Sequence, residues 1–318
     1  MLLLGASGTL GQATAAALVA RGHAVVALLR PGSGQGLPAA VLRRYGHVTE
    51  PMAVAQLGLR GERFDAVLSC LASRSGVPSE AWAVDHLAHR YALQAALAAQ
   101  VPRFVQLSAL CLQRPRLAFQ HAKLAFEAEL RASPLDWRIV RPTAFFKSLS
   151  GQLQRLRSGK PFLMFGDGRL TACKPISDAD LAHYLVDTLQ DPGRACQVLP
   201  IGGPGPAITP IEQGELLFAA LGRTPHFRSV PTRLLSGLAA VLGTAGRFVP
   251  SLAAKSELAR IGHYYATESM LVWDETRQCY DAAATPSTGS DTLAAHYARL
   301  ARGELRSGLG AHALFGGG

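Results

Sequence analysis

Met1-Leu2-Leu3-Leu4-Gly5-Ala6-Ser7-Gly8-Thr9-Leu10-Gly11 opens the chain. A short apolar run leads into glycines spaced by three, and an alanine-rich helical pattern, Thr9–Arg21, follows at once. Strand, glycine turn and helix in that order are the setting in which such a turn holds a dinucleotide pyrophosphate. Glycine lets the backbone turn tightly and approach the phosphates. The helix start supplies free N–H groups and positive potential. Gly5, Gly8 and Gly11 are therefore expected to line a pyrophosphate, with Ser7, Thr9 and Leu10 between them. The plain alternative is a glycine-rich strand–helix turn that holds no ligand.

The rhythm continues outward from this turn. Ala24–Leu29, Ala66–Cys70, Phe104–Leu107 and Arg138–Arg141 read as further strands, with another ending before Gly46. Ser79–Gln100 and Phe119–Ala132 read as helices. Alternation at this spacing predicts an α/β fold, a doubly wound parallel sheet covered on both faces. Residues 1–150 form the expected dinucleotide-binding domain. Residues 151–318 form a smaller, mainly helical substrate region packed on it, from which part of the sheet is completed.

In that second region Leu163–Phe165 and Leu170–Ala172 flank Gly166-Asp167-Gly168-Arg169, which reads as a hairpin. Ser177 reads as the N-cap of a helix to Gln190, and Thr209-Pro210-Ile211-Glu212 as a capping box. Helical patterns follow at Thr232–Gly246, Ser251–Tyr264 and Ser290–Arg302.

Composition narrows the class. Of 318 residues 48% are hydrophobic and 17% charged, enough to bury a large core and against global disorder. The formal net charge is +10, but Lys and Arg are scattered without long runs. That pattern favours a phosphate- or carboxylate-bearing ligand over nucleic acid. Cys70, Cys111, Cys173, Cys196 and Cys279 are widely spaced, with no Cys-x-x-Cys pair, so reduced thiols are expected. His86 and His89 lie three apart, but no carboxylate or third ligand accompanies them in the sequence, and no metal site is expected. The first residues run straight into the glycine motif without a basic leader, and no stretch has the length of a spanning helix. A cytoplasmic, bacterial protein is the expectation.

The end of strand two separates NAD from NADP. An acidic residue there would hold the ribose 2′-hydroxyl. Leu28-Leu29-Arg30-Pro31 stands there instead. Arg30, 19 positions after Gly11, is placed to clamp a 2′-phosphate, so NADPH is the expected cofactor.

The glycine spacing resembles the short-chain dehydrogenase/reductase superfamily, in its extended or atypical branch. That superfamily pairs Tyr-x-x-x-Lys on one helix face. Phe119-Gln120-His121-Ala122-Lys123 matches it with the tyrosine replaced by phenylalanine, and Ser108 matches its serine. Carbonyl reduction needs a proton delivered to oxygen, which Phe119 cannot supply. A conjugated carbon–carbon double bond remains open to hydride, since the resulting carbanion is delocalised. Lys123 would then keep only a hydrogen bond to the nicotinamide ribose. The alternative on these residues is NADP(H) binding without catalysis, as in a sensor or assembly subunit.

Further segments sharpen the resemblance: Arg141-Pro142-Thr143-Ala144-Phe145-Phe146-Lys147-Ser148, Phe165-Gly166-Asp167-Gly168, Cys173-Lys174-Pro175-Ile176-Ser177-Asp178-Ala179-Asp180-Leu181, Val198-Leu199-Pro200-Ile201-Gly202-Gly203-Pro204-Gly205 and Ile261-Gly262-His263-Tyr264-Tyr265-Ala266-Thr267-Glu268-Ser269-Met270-Leu271. Together they resemble the divinyl chlorophyllide 8-vinyl reductases of chlorophyll and bacteriochlorophyll synthesis, a family that itself carries phenylalanine at the position of Phe119. The resemblance implies reduction of a C8 vinyl group to ethyl on a divinyl chlorophyllide or protochlorophyllide-type tetrapyrrole, with NADPH as donor. It also implies work at the photosynthetic membrane surface, where Leu234–Val249 could pack against pigment or membrane, although a core helix is the plainer reading. His47 departs from the family's usual aspartate near the adenine. A reductase of another conjugated alkene, such as a phenylpropanoid-type substrate, is the remaining enzyme alternative.

These readings nominate the remaining site residues. Cys70 and Leu71 border the adenine ribose, Ser108 and Lys123 flank the nicotinamide, and Pro142, Thr143, Ala144 and Phe145 close over it. Phe146, Lys174, Tyr264 and Tyr265 are substrate candidates. For the proton donor Tyr264, Tyr265, His121, Cys173 and Lys174 stay open.

Overall fold

The computed structural model describes residues 1–234, 237, 242 and 250–305. Strands β1 (Leu2–Leu4), β2 (Val26–Leu29), β3 (Leu42–Tyr45), β4 (Val67–Ser69), β5 (Arg103–Leu107) and β6 (Asp136–Pro142) form one parallel sheet. Its seventh strand, β8 (Gln197–Ile201), joins the edge beside β6 after the chain has already passed through β7 (Phe162–Phe165). Pro200 is accommodated because β8 is an edge strand, where a missing N–H interrupts no inner ladder. The strand order is β3-β2-β1-β4-β5-β6-β8, that of a doubly wound dinucleotide-binding fold.

Alternation of side chains divides the core. Leu3 points to the face covered by α1 (Thr9–Ala20) and α7 (Asp178–Gln190), where Leu18, Leu181, Leu185 and Val186 are fully buried. Leu2 and Leu4 point to the other face, covered by α3 (His89–Ala98) and α4 (Ala118–Arg131) through Leu93, Phe126 and Leu130. Both faces of β1 are dry, which is why its sequence is continuously apolar rather than alternating.

The helical run read as Ser79–Gln100 is continuous but not uniform. It begins as α2 (Pro78–Ala81), passes through a π-helical stretch Trp82–Ala88, and continues as α3. Such π-turns re-aim side chains and recur at functional sites. Here the π-stretch carries the fully buried Asp85.

Beyond β6 lie α5 (Phe146–Leu149), α6 (Leu153–Arg157), α8 (Pro210–Ala220), β9 (Phe227–Val230), α9 (Pro250–Thr267), the antiparallel pair β10 (Val272–Asp274) and β11 (Cys279–Asp281), and α10 (Leu293–Ala301). Phe146, Leu156, Phe162, Leu217, Phe218 and Tyr297 pack as their own cluster. Ser177 caps α7, its hydroxyl accepting from the Asp180 N–H at 2.9 Å. Glu212 accepts from the Thr209 N–H at 2.7 Å, closing the box that starts α8.

One expectation fails here. The hairpin of Leu163–Phe165 with Leu170–Ala172 does not form. Gly166 and Gly168 do take positive φ, 59° and 76°. The chain then moves away instead of returning, and β7 pairs in parallel with β9. Cys173 instead bridges Ile208 and Met270. The turn chemistry was legible, but the partner strand lies more than sixty residues on. Most of the pattern Thr232–Gly246, and most of Leu234–Val249, lies outside the described residues.

The turn after β1 explains its glycines one by one. A Cβ on Gly11 would sit 2.2 Å from the Gly5 carbonyl oxygen, and one on Gly5, at φ +77°, 2.6 Å from the Cys70 carbonyl carbon. A Cβ on Gly8 would meet nothing nearer than 3.5 Å. Gly11→Ala is therefore expected to lose roughly 2 kcal/mol or more of unfolding free energy in urea. Gly8→Ala should stay within about 1 kcal/mol of wild type. Equal losses would contradict the geometry.

Candidate functional site

The start of α1 is left open. Gly8 occupies its N-cap without a side-chain hydrogen bond, and its first turn holds no acidic residue. Gly8 and Thr9 are exposed, and Ser7 and Leu10 are half-buried. Uncapped N–H groups with no carboxylate beside them fit an external anion, so the residues present suit a dinucleotide pyrophosphate. The backbone of Cys70–Leu71 lies directly behind Gly5. Burial pushes the Cys70 thiol up to about 12, against a weaker opposing contact from the Thr14 hydroxyl, so this sulfur is chemically quiet.

Arg30 follows the end of β2 and is exposed. Among the described residues no carboxylate lies within ion-pair distance of its guanidinium. Gln12, which the sequence reading passed over, joins the two loops: its carboxamide donates to the Ser7 carbonyl at 3.2 Å and the Gln35 carbonyl at 3.4 Å. Its place one turn into α1 was the only available signal.

Helix α4 brings Phe119, Lys123 and Glu127 onto one stripe, each one turn after the last. Gln120 fixes the helix start, its carboxamide oxygen accepting from the N–H groups of Arg116 at 2.7 Å and Leu117 at 2.9 Å. Phe119 is half-buried and packs with Ile261 and Tyr264 of α9. Lys123 is 6% exposed, and its ammonium lies 3.0 Å from an Asp85 oxygen. Asp85 also accepts from the Ser73 N–H at 3.2 Å and hydroxyl at 2.6 Å. Ser108 does not stand free: its hydroxyl donates to Glu127 at 2.5 Å. Glu127 is in turn held by the Arg141 guanidinium. With its proton committed, the Ser108 oxygen can accept a hydrogen bond but not donate one. Asp85, Glu127 and Arg141 were missed from sequence. The signal for Glu127 was its spacing from Phe119 and Lys123, and for Asp85 a carboxylate inside an apolar helix.

The segment Pro142–Phe145 is stitched to the C-terminal region. The Thr143 N–H donates to the Ile201 carbonyl at 3.0 Å, and the Thr143 hydroxyl donates to the Lys174 carbonyl. Ile176 N–H donates to the Ala144 carbonyl at 2.9 Å, and Phe145 bridges Ile176. The Lys174 ammonium donates to the Thr285 carbonyl at 2.8 Å and lies 3.2 Å from the Ser287 hydroxyl, so it braces a loop where a substrate contact was expected. Phe146 is 4% exposed and belongs to the core of the C-terminal region, against His296.

The adjacent tyrosines part company. Tyr264 is buried, its hydroxyl donating to the Cys111 carbonyl at 2.8 Å, and burial pushes the phenol up to about 12. Tyr265 keeps 38% of its surface exposed. It lines a cavity of about 180 Å³ with Leu149, Phe162, Met164, Leu170 and Pro210. That cavity is mostly apolar, and of the substrate and proton-donor candidates only Tyr265 reaches it. His121 is exposed on α4, and burial pushes the Cys173 thiol up to about 12.

His86 does have a carboxylate beside it, contrary to the sequence expectation. Its Nε2 lies 2.8 Å from Glu129, which α4 supplies from 43 residues away. Among the described residues no cluster of metal-ligating side chains occurs, and none of the cysteines pairs.

A family model described as NAD(P)H-binding matches residues 5–192. The divinyl chlorophyllide a 8-vinyl-reductase of Oryza sativa subsp. indica, a chloroplastic protein, is 44% identical over 99% of this chain and 82% of its own length. That of Arabidopsis thaliana is 42% identical over 95% of this chain and 76% of its own. An NADPH-dependent quinone oxidoreductase from Escherichia coli, solved with NADPH, shares the fold at TM-score 0.68 and 19% identity, over 94% of this chain and 99% of that one. A UDP-glucose 4-epimerase from Thermus thermophilus, solved with NAD, aligns over 72% of this chain and 86% of its own at TM-score 0.62 and 19% identity.

The buried charges set a pH dependence. His89 is fully buried, with Nδ1 3.0 Å from the Val84 carbonyl and Nε2 2.9 Å from the Ser69 hydroxyl. A carbonyl only accepts, so Nδ1 carries the proton and Nε2 accepts from Ser69. Burial, with the nearby Lys123 ammonium second, lowers the imidazole to about 4. The unfolded chain protonates this group below ~6.5 while the folded one resists until near 4, so stability falls as pH drops through that window. Between pH 7 and pH 5 urea unfolding should show wild type losing about 2 kcal/mol more than His89→Gln. Parallel losses in the two proteins would refute the assignment.

Proposed function

The chain belongs to the divinyl chlorophyllide a 8-vinyl-reductase family, and from that premise we propose that it reduces the C8 vinyl group of a divinyl chlorophyllide-type tetrapyrrole to ethyl with NADPH. The observation that carries this reading is the likeness at 41–44% identity over nearly the whole chain. The site's chemistry agrees with it. Bound NADPH supplies a hydride, and a proton completes the addition across CH=CH₂. Gly5, Gly8 and Gly11 would hold the pyrophosphate on α1, and the unpaired Arg30 would take the 2′-phosphate. Cys70 and Leu71, behind Gly5, would border the adenine ribose.

The residues around the nicotinamide position are arranged for binding rather than for polarising a carbonyl. Phe119 offers no phenol. Asp85 fixes the Lys123 ammonium, which leaves it as a positioned donor to the nicotinamide ribose. Ser108, its proton given to Glu127, presents an acceptor. Neither a ketone nor an alcohol would find the proton relay it needs. The apolar cavity beside Tyr265 suits one edge of a flat apolar ring and keeps water from it. No helix among the described residues is long and apolar enough to cross a membrane.

Purified protein incubated with NADPH and divinyl chlorophyllide should blue-shift the Soret band and yield a monovinyl product on chromatography. NADPH binding with no such product would move the reading to a dinucleotide-binding protein without this activity. Arg30→Glu should weaken NADPH by tenfold or more, on the order of one charge-assisted bond, with little change for NADH. Equal weakening of both would remove Arg30 from the 2′-phosphate. Phe119→Tyr should bring no gain in rate, and a large gain would overturn the argument from the missing phenol.

A further inference from the structure

One cation crosses from the substrate region to the phosphate turn. Lys147, on α5, places its ammonium 2.8 Å from the Thr9 hydroxyl, at the first position of α1. A helix N-terminus carries about half a positive charge, so a lysine parked there is repelled unless an anion joins it. Among the described residues no carboxylate contacts it there: none lies within 4 Å of the Lys147 ammonium, and the first turn of α1 has no acidic residue. The carboxyl that Lys147 does influence, Asp178 at the start of α7, acts on it from beyond ion-pair distance, and burial raises its pKa. Uncapped N–H groups and an unpaired ammonium thus converge on one small volume.

We propose that Lys147 is a pyrophosphate-binding residue, a clasp thrown over the cofactor from the substrate side. This rests on NADP(H) occupying the glycine turn. The ammonium moves from the neutral Thr9 hydroxyl to a phosphate oxygen, exchanging a neutral acceptor for one of opposite charge. The next two residues, Ser148 and Leu149, line the apolar cavity. The clasp therefore ties the cofactor to one wall of the space assigned to the tetrapyrrole. Arg30 and Lys147 divide the phosphates between them. Arg30 answers only the 2′-phosphate, whereas Lys147 answers the pyrophosphate that NADPH and NADH share.

That division gives the test. NADPH and NADH affinities are measured by nucleotide fluorescence for wild type, Lys147→Gln, Lys147→Arg and Arg30→Gln, at low and high salt. Lys147→Gln should weaken both dinucleotides by the same factor, about tenfold, and flatten the salt dependence. Lys147→Arg should retain most of the affinity. Arg30→Gln should weaken NADPH alone. Unchanged affinities in Lys147→Gln, or a loss confined to NADPH, would overturn the proposal. A measurement on the unaltered protein guards against a misfolded variant. NADPH should protect Lys147 from amine-directed acetylation read by mass spectrometry, and full labelling with NADPH bound would equally overturn it. If the unaltered protein binds neither dinucleotide, the cofactor reading itself fails, which is a separate result.

Discussion

The approach of Gly11 to the Gly5 carbonyl is the contact on which the molecule turns. At that separation no side chain fits, so the end of β1 and the start of α1 are joined backbone to backbone. Gly5 is pressed in turn against the Cys70–Leu71 peptide that follows β4. Three elements thus meet at one point at the C-terminal end of the sheet. Because β1 lies between β2 and β4, that point is also where the strand order reverses. The crevice opened there is where ligands of such sheets bind. The open N–H groups of α1 face it because Gly8 has no side chain to cap them.

A second constraint lies beneath the proposed nicotinamide position. Asp85, Lys123, Glu127 and His89 are all nearly or wholly buried. Buried charges are tolerated only where paired and hydrogen-bonded. Lys123 meets Asp85, Glu127 meets Arg141, and His89 stays neutral. Removing one member would strand its partner without solvent. The arrangement therefore rigidifies α4 against β5 and β6, and it holds Ser108 and Lys123 in fixed orientations. A π-turn in the preceding helix brings Asp85 into line.

What could be read from sequence divides along this boundary. Strands β1 and β2 were legible because burial on both faces demands apolar runs, and β4, β5 and β6 through the shorter apolar pairs Val67-Leu68, Phe104-Val105 and Ile139-Val140. Strand β3, Leu-Arg-Arg-Tyr, was indistinct because it is an edge strand whose Leu42 and Tyr45 are half exposed. β8 was hidden by Pro200, and β9 by a partner far away in sequence. The glycine turn and Arg30 carry local signatures. Asp85, Glu127 and Gln12 do not, since each matters through a contact made across the fold. The same holds for the substrate candidates: Lys174 and Tyr264 look available in sequence, but each is committed to a carbonyl that only folding brings near.

The C-terminal region does more than complete the cavity. Thr143, Ala144 and Phe145 leave β6 and are stitched to Ile201 and Ile176 before the chain enters α5. That stitching fixes where α5 begins, and α5 carries Lys147 to Thr9 and Leu149 to the cavity within three residues. The glycine turn and the apolar cavity are therefore joined by one short segment rather than by separate loops. A hydride donor and a flat acceptor must meet within near contact for transfer. A segment anchored to both sites is a direct way for the chain to set that separation.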